Sequence, residues 1–114
     1  MDNQSRRALV RDYKERKAVA GVYAVRCVPS GEVWTAGSRN VDAQQNSLWF
    51  GLRNGGHINR AMQGAWAVHG EAAFSFEVLE RINDEALTPQ GVLDRLKIRQ
   101  QHWLVELGAK KAVG

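Results

Sequence analysis

Two rhythms of apolar residues run along this chain. Ala20-Gly21-Val22-Tyr23-Ala24-Val25 and Val33-Trp34-Thr35-Ala36-Gly37-Ser38 are short β-prone runs, and Pro29-Ser30-Gly31 breaks the chain between them. They predict a hairpin with strands at 20–28 and 32–38. Residues 73–81 put Phe74, Phe76 and Val78 on one side, a third strand with one buried face. Elsewhere the period is helical. Asn40 and Asp42 are good caps for a helix over 42–53, with Gln45, Leu48, Trp49 and Leu52 inward and Asn54-Gly55-Gly56 as its stop. Ile58, Ala61, Met62, Ala65, Trp66 and His69 give a second helix over 57–69, stopped by Gly70. Thr88-Pro89 opens a third over 89–107, with Leu93, Leu96, Gln100, Trp103 and Leu107 as its stripe and Gly108 as its end. Residues 4–17 are good helix formers with few apolar positions, so an exposed or loosely docked helix is expected there.

The expected architecture is α+β: a small three-stranded antiparallel sheet flanked by helices, spanning 20–107. A basic N-terminal helical segment (1–19) precedes it and a tail (108–114) follows. Trp49, Trp66, Phe74, Phe76, Leu96 and Trp103 are the expected core.

Composition narrows the class. At 114 residues and 44% hydrophobic, the chain supports one domain with one core. Its apolar runs are far too short to cross a membrane, and no apolar segment follows the N-terminal charges, so neither membrane nor secretion is expected. A single cysteine, Cys27, excludes an internal disulfide and a cysteine-cluster zinc site. Cys27 reads as a small buried hydrophobe, and the expected compartment is the cytoplasm. The net charge of +4 permits polyanion binding. The cations fall into three scattered clusters, in residues 1–17, at Arg39, Arg53 and Arg60, and at Arg95, Lys97 and Arg99. That scatter weakens the case for one binding stripe.

The two strand motifs, the run Gly56-His57-Ile58-Asn59-Arg60-Ala61-Met62-Gln63-Gly64-Ala65-Trp66, the turn His69-Gly70 and the strand Phe74-Ser75-Phe76-Glu77-Val78-Leu79-Glu80 together resemble the GIY-YIG nuclease family over about residues 20–107. The branch associated with LuxR- and ArsR-type regulators is the most similar in flavour. The resemblance implies the GIY-YIG fold and an ancestry of phosphodiester hydrolysis, which requires an activated water, charge stabilisation at the phosphoryl oxygens and help for the leaving oxygen.

Carried over position by position, the family's first tyrosine is kept as Tyr23. A strand tyrosine packed in the sheet is an equally good reading of that residue. The second tyrosine is Trp34, whose indole donates one N–H and relays no proton, so core filling is the better reading. The arginine position holds Gln44. A missing preorganised donor of this kind typically costs ~10²–10³ in rate. His57 matches a family histidine, either contacting phosphate or capping a turn. The metal-binding glutamate position, three residues before Trp103, holds Gln100, and an amide is a poor ligand for a hard divalent cation. Glu77 and Glu80, an odd number apart on a strand, are expected on opposite faces as solvated charges. His57, His69 and His102 lack metal-ligand spacing, and no glycine loop cradles a phosphate.

Three readings follow. The first is a catalytically impaired domain that binds nucleic acid, expected to be DNA, weakly and without sequence preference, through Arg39, His57, Asn59 and Arg60. It would need no cofactor and hold no metal. The second is an active Mg²⁺-dependent endonuclease with a rewired site, using Arg39 as the cation and a carboxylate from elsewhere. The third is a protein-interaction domain. Two charge-to-amide replacements, at Gln44 and Gln100, favour the first over the second.

Overall fold

The computed structural model describes residues 18–84 and 86–112; the expected N-terminal helix lies outside them. The hairpin forms as the turn residues dictate. Strand β1 (Ala20–Cys27) and strand β2 (Glu32–Ser38) pair antiparallel, with Tyr23 opposite Ala36 and Val25 opposite Trp34. Gly31 closes the turn at φ 74°, a left-handed conformation that a side chain rarely adopts, and its N–H donates to the Cys27 carbonyl at 2.9 Å. Helix α1 (Val41–Arg53), helix α2 (Arg60–His69), strand β3 (Phe74–Ile82) and helix α3 (Pro89–Leu107) follow. The Thr88 hydroxyl accepts from the Gly91 N–H to cap α3, and Gly108 ends it at φ 58°.

The sheet has four strands rather than three, and it is mixed. Lys110–Lys111, expected in the tail, form β4, which runs parallel to β2 along its outer edge, giving the order β3-β1-β2-β4. Its anchor is a long-range contact that no local pattern announces. The Asn59 Nδ2 donates to the Lys111 and Ala112 carbonyls at 3.1 Å each.

Alternation along the strands sorts the side chains into two layers. Tyr23, Val25, Cys27, Trp34, Ala36 and Phe74 face α1 and α2, where Leu48, Trp49, Leu52, Met62 and Trp66 complete the main core. Ala20, Val22 and Ile82 face α3 and its Leu96 and Trp103. Phe76 and Trp103 are only partly buried, each at the margin of its layer. Two glycines set the spacing. A Cβ on Gly37 would stand 2.8 Å from Leu96, so α3 lies directly on β2 there. One on Gly21 would stand 2.4 Å from the Glu80 carbonyl oxygen, where β3 approaches β1.

Several register expectations shift. Helix α2 begins at Arg60, because Asn59 caps it by accepting from the Met62 N–H, and Ile58, Ala61 and His69 are exposed. In α1, Gln44 is half-buried and Gln45 faces solvent. The α1 start has no side-chain cap; Asp42 instead pairs with Arg81 at 2.6 Å. A register shift in the β1–β3 ladder pairs Tyr23 with Val78 but Val22 with Glu80, leaving Leu79 as an extra residue. That bulge reverses the parity beyond it, so Glu77 and Glu80 lie on the same face of the sheet, the α3 side.

Candidate nucleic-acid interface

Tyr23 is 1% exposed, and its ring stacks on Phe76 with centroids 5.1 Å apart. Burial pushes its phenol up to about 12, since a phenolate there would lose its hydration. Trp34 is fully buried and stacks on Phe74 at 6.2 Å, and its indole N–H has no hydrogen-bond partner among the described residues. Both side chains belong to the layer under α1 and α2. Gln100 belongs to α3, on the opposite face of the sheet, in the same helical row as Leu96 and Trp103.

Glu80 of β3 reaches that turn of α3. Its two oxygens accept from Arg99 Nε at 2.8 and 3.0 Å, and Oε1 also accepts from the Trp103 indole at 3.0 Å. Partial burial would raise this carboxyl, but the Trp103 and Arg99 hydrogen bonds outweigh it and hold it below the usual carboxylate range. Glu80 is therefore a tether between β3 and α3. With an amide at Gln100 and the oxygens of Glu80 engaged, the donor set does not suit a divalent cation, which requires anionic oxygens free to coordinate. Among the described residues, no three His, Cys, Asp or Glu side chains gather around one point.

Gln44 sits elsewhere, at the mouth between β2 and α1. Ser38 Oγ donates to Gln44 Oε1 at 2.8 Å and accepts from the Asn40 N–H at 3.1 Å. Ser38, Arg39, Asn40, Ala43, Gln44 and Ser47 line an open groove of about 320 Å³ there. Hydroxyls, amides and one guanidinium make it a place for an anion. No carboxylate lines it among the described residues, so those residues offer no carboxylate base and no anionic metal ligand.

His57, Asn59 and Arg60 form a third locus, the loop into α2. The His57 Nδ1 accepts from the Asn59 N–H at 3.0 Å, and the His57 N–H donates to Gln63 Oε1 at 3.1 Å. Partial burial lowers the His57 pKa below its ordinary value, which keeps the imidazole neutral near pH 7. Asn59 is committed to structure, as the cap of α2 and the clamp on β4. Arg60 is exposed.

The structure thus divides the expected site residues. Tyr23 and Trp34 lie together in the core, Arg39 and Gln44 together at the mouth, and His57, Asn59 and Arg60 together in the α2 loop; Gln100 stands apart across the sheet. Pairing also thins the basic surface. Arg26 binds Glu77, Arg53 binds Glu71, Arg81 binds Asp42, Arg99 binds Glu80 and Lys110 binds Glu32. Arg39, Arg60, Arg95, Lys97 and Lys111 have no ion pair among the described residues. Sequence reading missed Ser38, Asn40 and Ser47 as groove lining. Their signal was the polar run Ser38-Arg39-Asn40 where a buried strand turns into a helix.

No family model matches the chain, and no curated protein does. Solved structures do. The catalytic domain of the intron endonuclease I-TevI, as a point mutant, superposes with a TM-score of 0.65 at 21% identity, over 79% of this chain and 84% of that one. A second structure of the catalytic domain of the homing endonuclease I-TevI gives 0.64 at 21% identity, over 78% and 88%. At this identity the likeness is one of fold. The chain has the GIY-YIG fold of that catalytic domain, with a fourth strand in its sheet.

Proposed function

We propose that this chain is a nucleic-acid-binding domain on an endonuclease fold, with phosphodiester cleavage lost or nearly so. The observation that carries the reading is the groove at the β2–α1 mouth, where Arg39 and neutral donors stand together with no carboxylate among the described residues. Such a surface holds a phosphate by charge and hydrogen bonds, and it supplies nothing that activates water. Two further facts support it. Tyr23 is buried and stacked on Phe76, out of contact with solvent. Gln44 and Gln100 offer amides where the resemblance implies a cation and a metal-binding carboxylate.

The I-TevI structures are titled as endonuclease catalytic domains; for this chain the corresponding partner is nucleic acid, with DNA the first candidate. Binding through a few arginines and lysines is non-specific and governed by counterion release. On duplex DNA, log affinity falls against log salt with a slope of about 0.9 per phosphate contacted. Binding at low salt that fades near physiological ionic strength is the expected result, with Arg39→Ala plus Arg60→Ala flattening the slope. A plasmid-nicking assay across a Mg²⁺ and Mn²⁺ titration should show no cleavage above background. Robust nicking that disappears in Tyr23→Phe would replace this reading with a rewired nuclease. Absence of binding at every ionic strength would replace it with a protein-interaction domain.

A further inference from the structure

Arg39 lines two depressions. One is the polar groove with Ser38, Asn40, Gln44 and Ser47. The other is an apolar pocket of about 440 Å³, between the start of β1, the end of β3 and the first turns of α3. Ala20, Ile82, Leu87, Pro89 and Val92 wall it, and Arg39 is the one charged lining residue among the described residues. The volume lies within the range of pockets that hold small organic groups. The Arg39 guanidinium is exposed and has no ion pair among the described residues. An anion next to a flat apolar ring is the ligand that suits a polar groove and an apolar pocket meeting at one free guanidinium.

We propose that these two depressions form a single site for an unpaired nucleotide, with a phosphate in the groove against Arg39 and the base in the pocket against Pro89, Leu87 and Val92. The inference rests on the nucleic-acid reading above and refines it to single strands, or to strands with an extruded base. A paired base within a duplex cannot enter the pocket without being flipped out, at the cost of its stacking and pairing, whereas a single strand has a base free. Aliphatic walls accept any base, so the site has little sequence preference.

The test measures anisotropy of a short labelled oligonucleotide at low salt in three forms: single-stranded, duplex, and single-stranded with abasic sites. The single strand should bind about tenfold more tightly than either other form, the effect of burying one base against aliphatic walls. Ala18→Trp, at an exposed rim position, should fill the pocket and remove that preference while leaving duplex affinity unchanged. Val92→Trp should repeat the result from the helix side, with circular dichroism confirming the fold of both variants. Arg39→Ala should weaken all three forms. Equal binding of the intact and abasic strands, or a preference that survives both tryptophan variants, overturns the base site while leaving nucleic-acid binding in place. No binding by any form overturns both readings.

Discussion

Around Tyr23 and Trp34 the molecule is closed and apolar. A few residues along the same strand, at Ser38 and Arg39, it opens into a polar groove. The resemblance to nucleases marks Tyr23 and Trp34 in the first region and Gln44 in the second, and their surroundings differ. In the first, aromatic side chains stack on Phe74 and Phe76 and serve as core. In the second, a serine, an asparagine and a glutamine hold a hydrogen-bonded rim around a free arginine. The lesson is that one strand scaffold can bury aromatic side chains as core and, a few residues on, hold a polar open rim around an arginine.

The largest effect should come from the closed region. Trp34→Ala should cost about 3–5 kcal/mol, because the indole is fully buried in the main core and its removal leaves a cavity there. Urea melts read this directly. Ser47→Ala, in the open groove, should stay within about 0.5 kcal/mol. Similar losses from the two substitutions would break the contrast between core and rim.

Gly21→Ala should come next, at about 1–3 kcal/mol, the usual range for overpacking. Its Cβ would meet the backbone oxygen of Glu80 at 2.4 Å, and backbone cannot swing aside as a side-chain end can. A neutral Gly21→Ala melt would show that β3 has slack beside β1.

The buried phenol gives a pH signature. Its folded pKa is raised from 10.0 to about 12, so this contribution to stability is complete below pH 10 and is lost as pH rises through about 12. Ultraviolet titration of the folded protein should show Tyr23 ionising well after an ordinary tyrosine, together with the alkaline loss of structure. Ionisation near 10 in the folded state would mean that the region is open to water.

The smallest effect belongs to the rim. Gln44→Arg adds a cation to the groove and should leave stability within about 0.5 kcal/mol. It should steepen the salt dependence of oligonucleotide binding by about one unit of slope, one more phosphate contact. An unchanged slope would move the anion surface away from this groove.

Much of the fold was legible because its signals are local. The turn at Gly31, the cap at Thr88-Pro89, the stop at Gly108 and the alternation of Phe74, Phe76 and Val78 each rest on a few neighbouring residues. The helix boundaries 53, 69, 89 and 107 needed nothing more. The candidate site was legible only in part. The amides at Gln44 and Gln100 were plain from residue type, as was the removal of the phenol at Trp34.

What the sequence determined by itself was this succession of elements and the identity of the groups that could act. The tertiary structure decided which of them meet. A bulge at Leu79 set Glu80 on the α3 side with Glu77, although simple alternation had separated the two. Asn59 reached across to Lys111 and Ala112 and so turned a tail into a strand. Arg26, Arg53, Arg81, Arg99 and Lys110 were drawn into ion pairs while Arg39 was left at the meeting of a polar groove and an apolar pocket. These outcomes depend on distances between residues far apart in the chain. Local periodicity fixes which side chains share one face of an element, and packing alone fixes what that face meets.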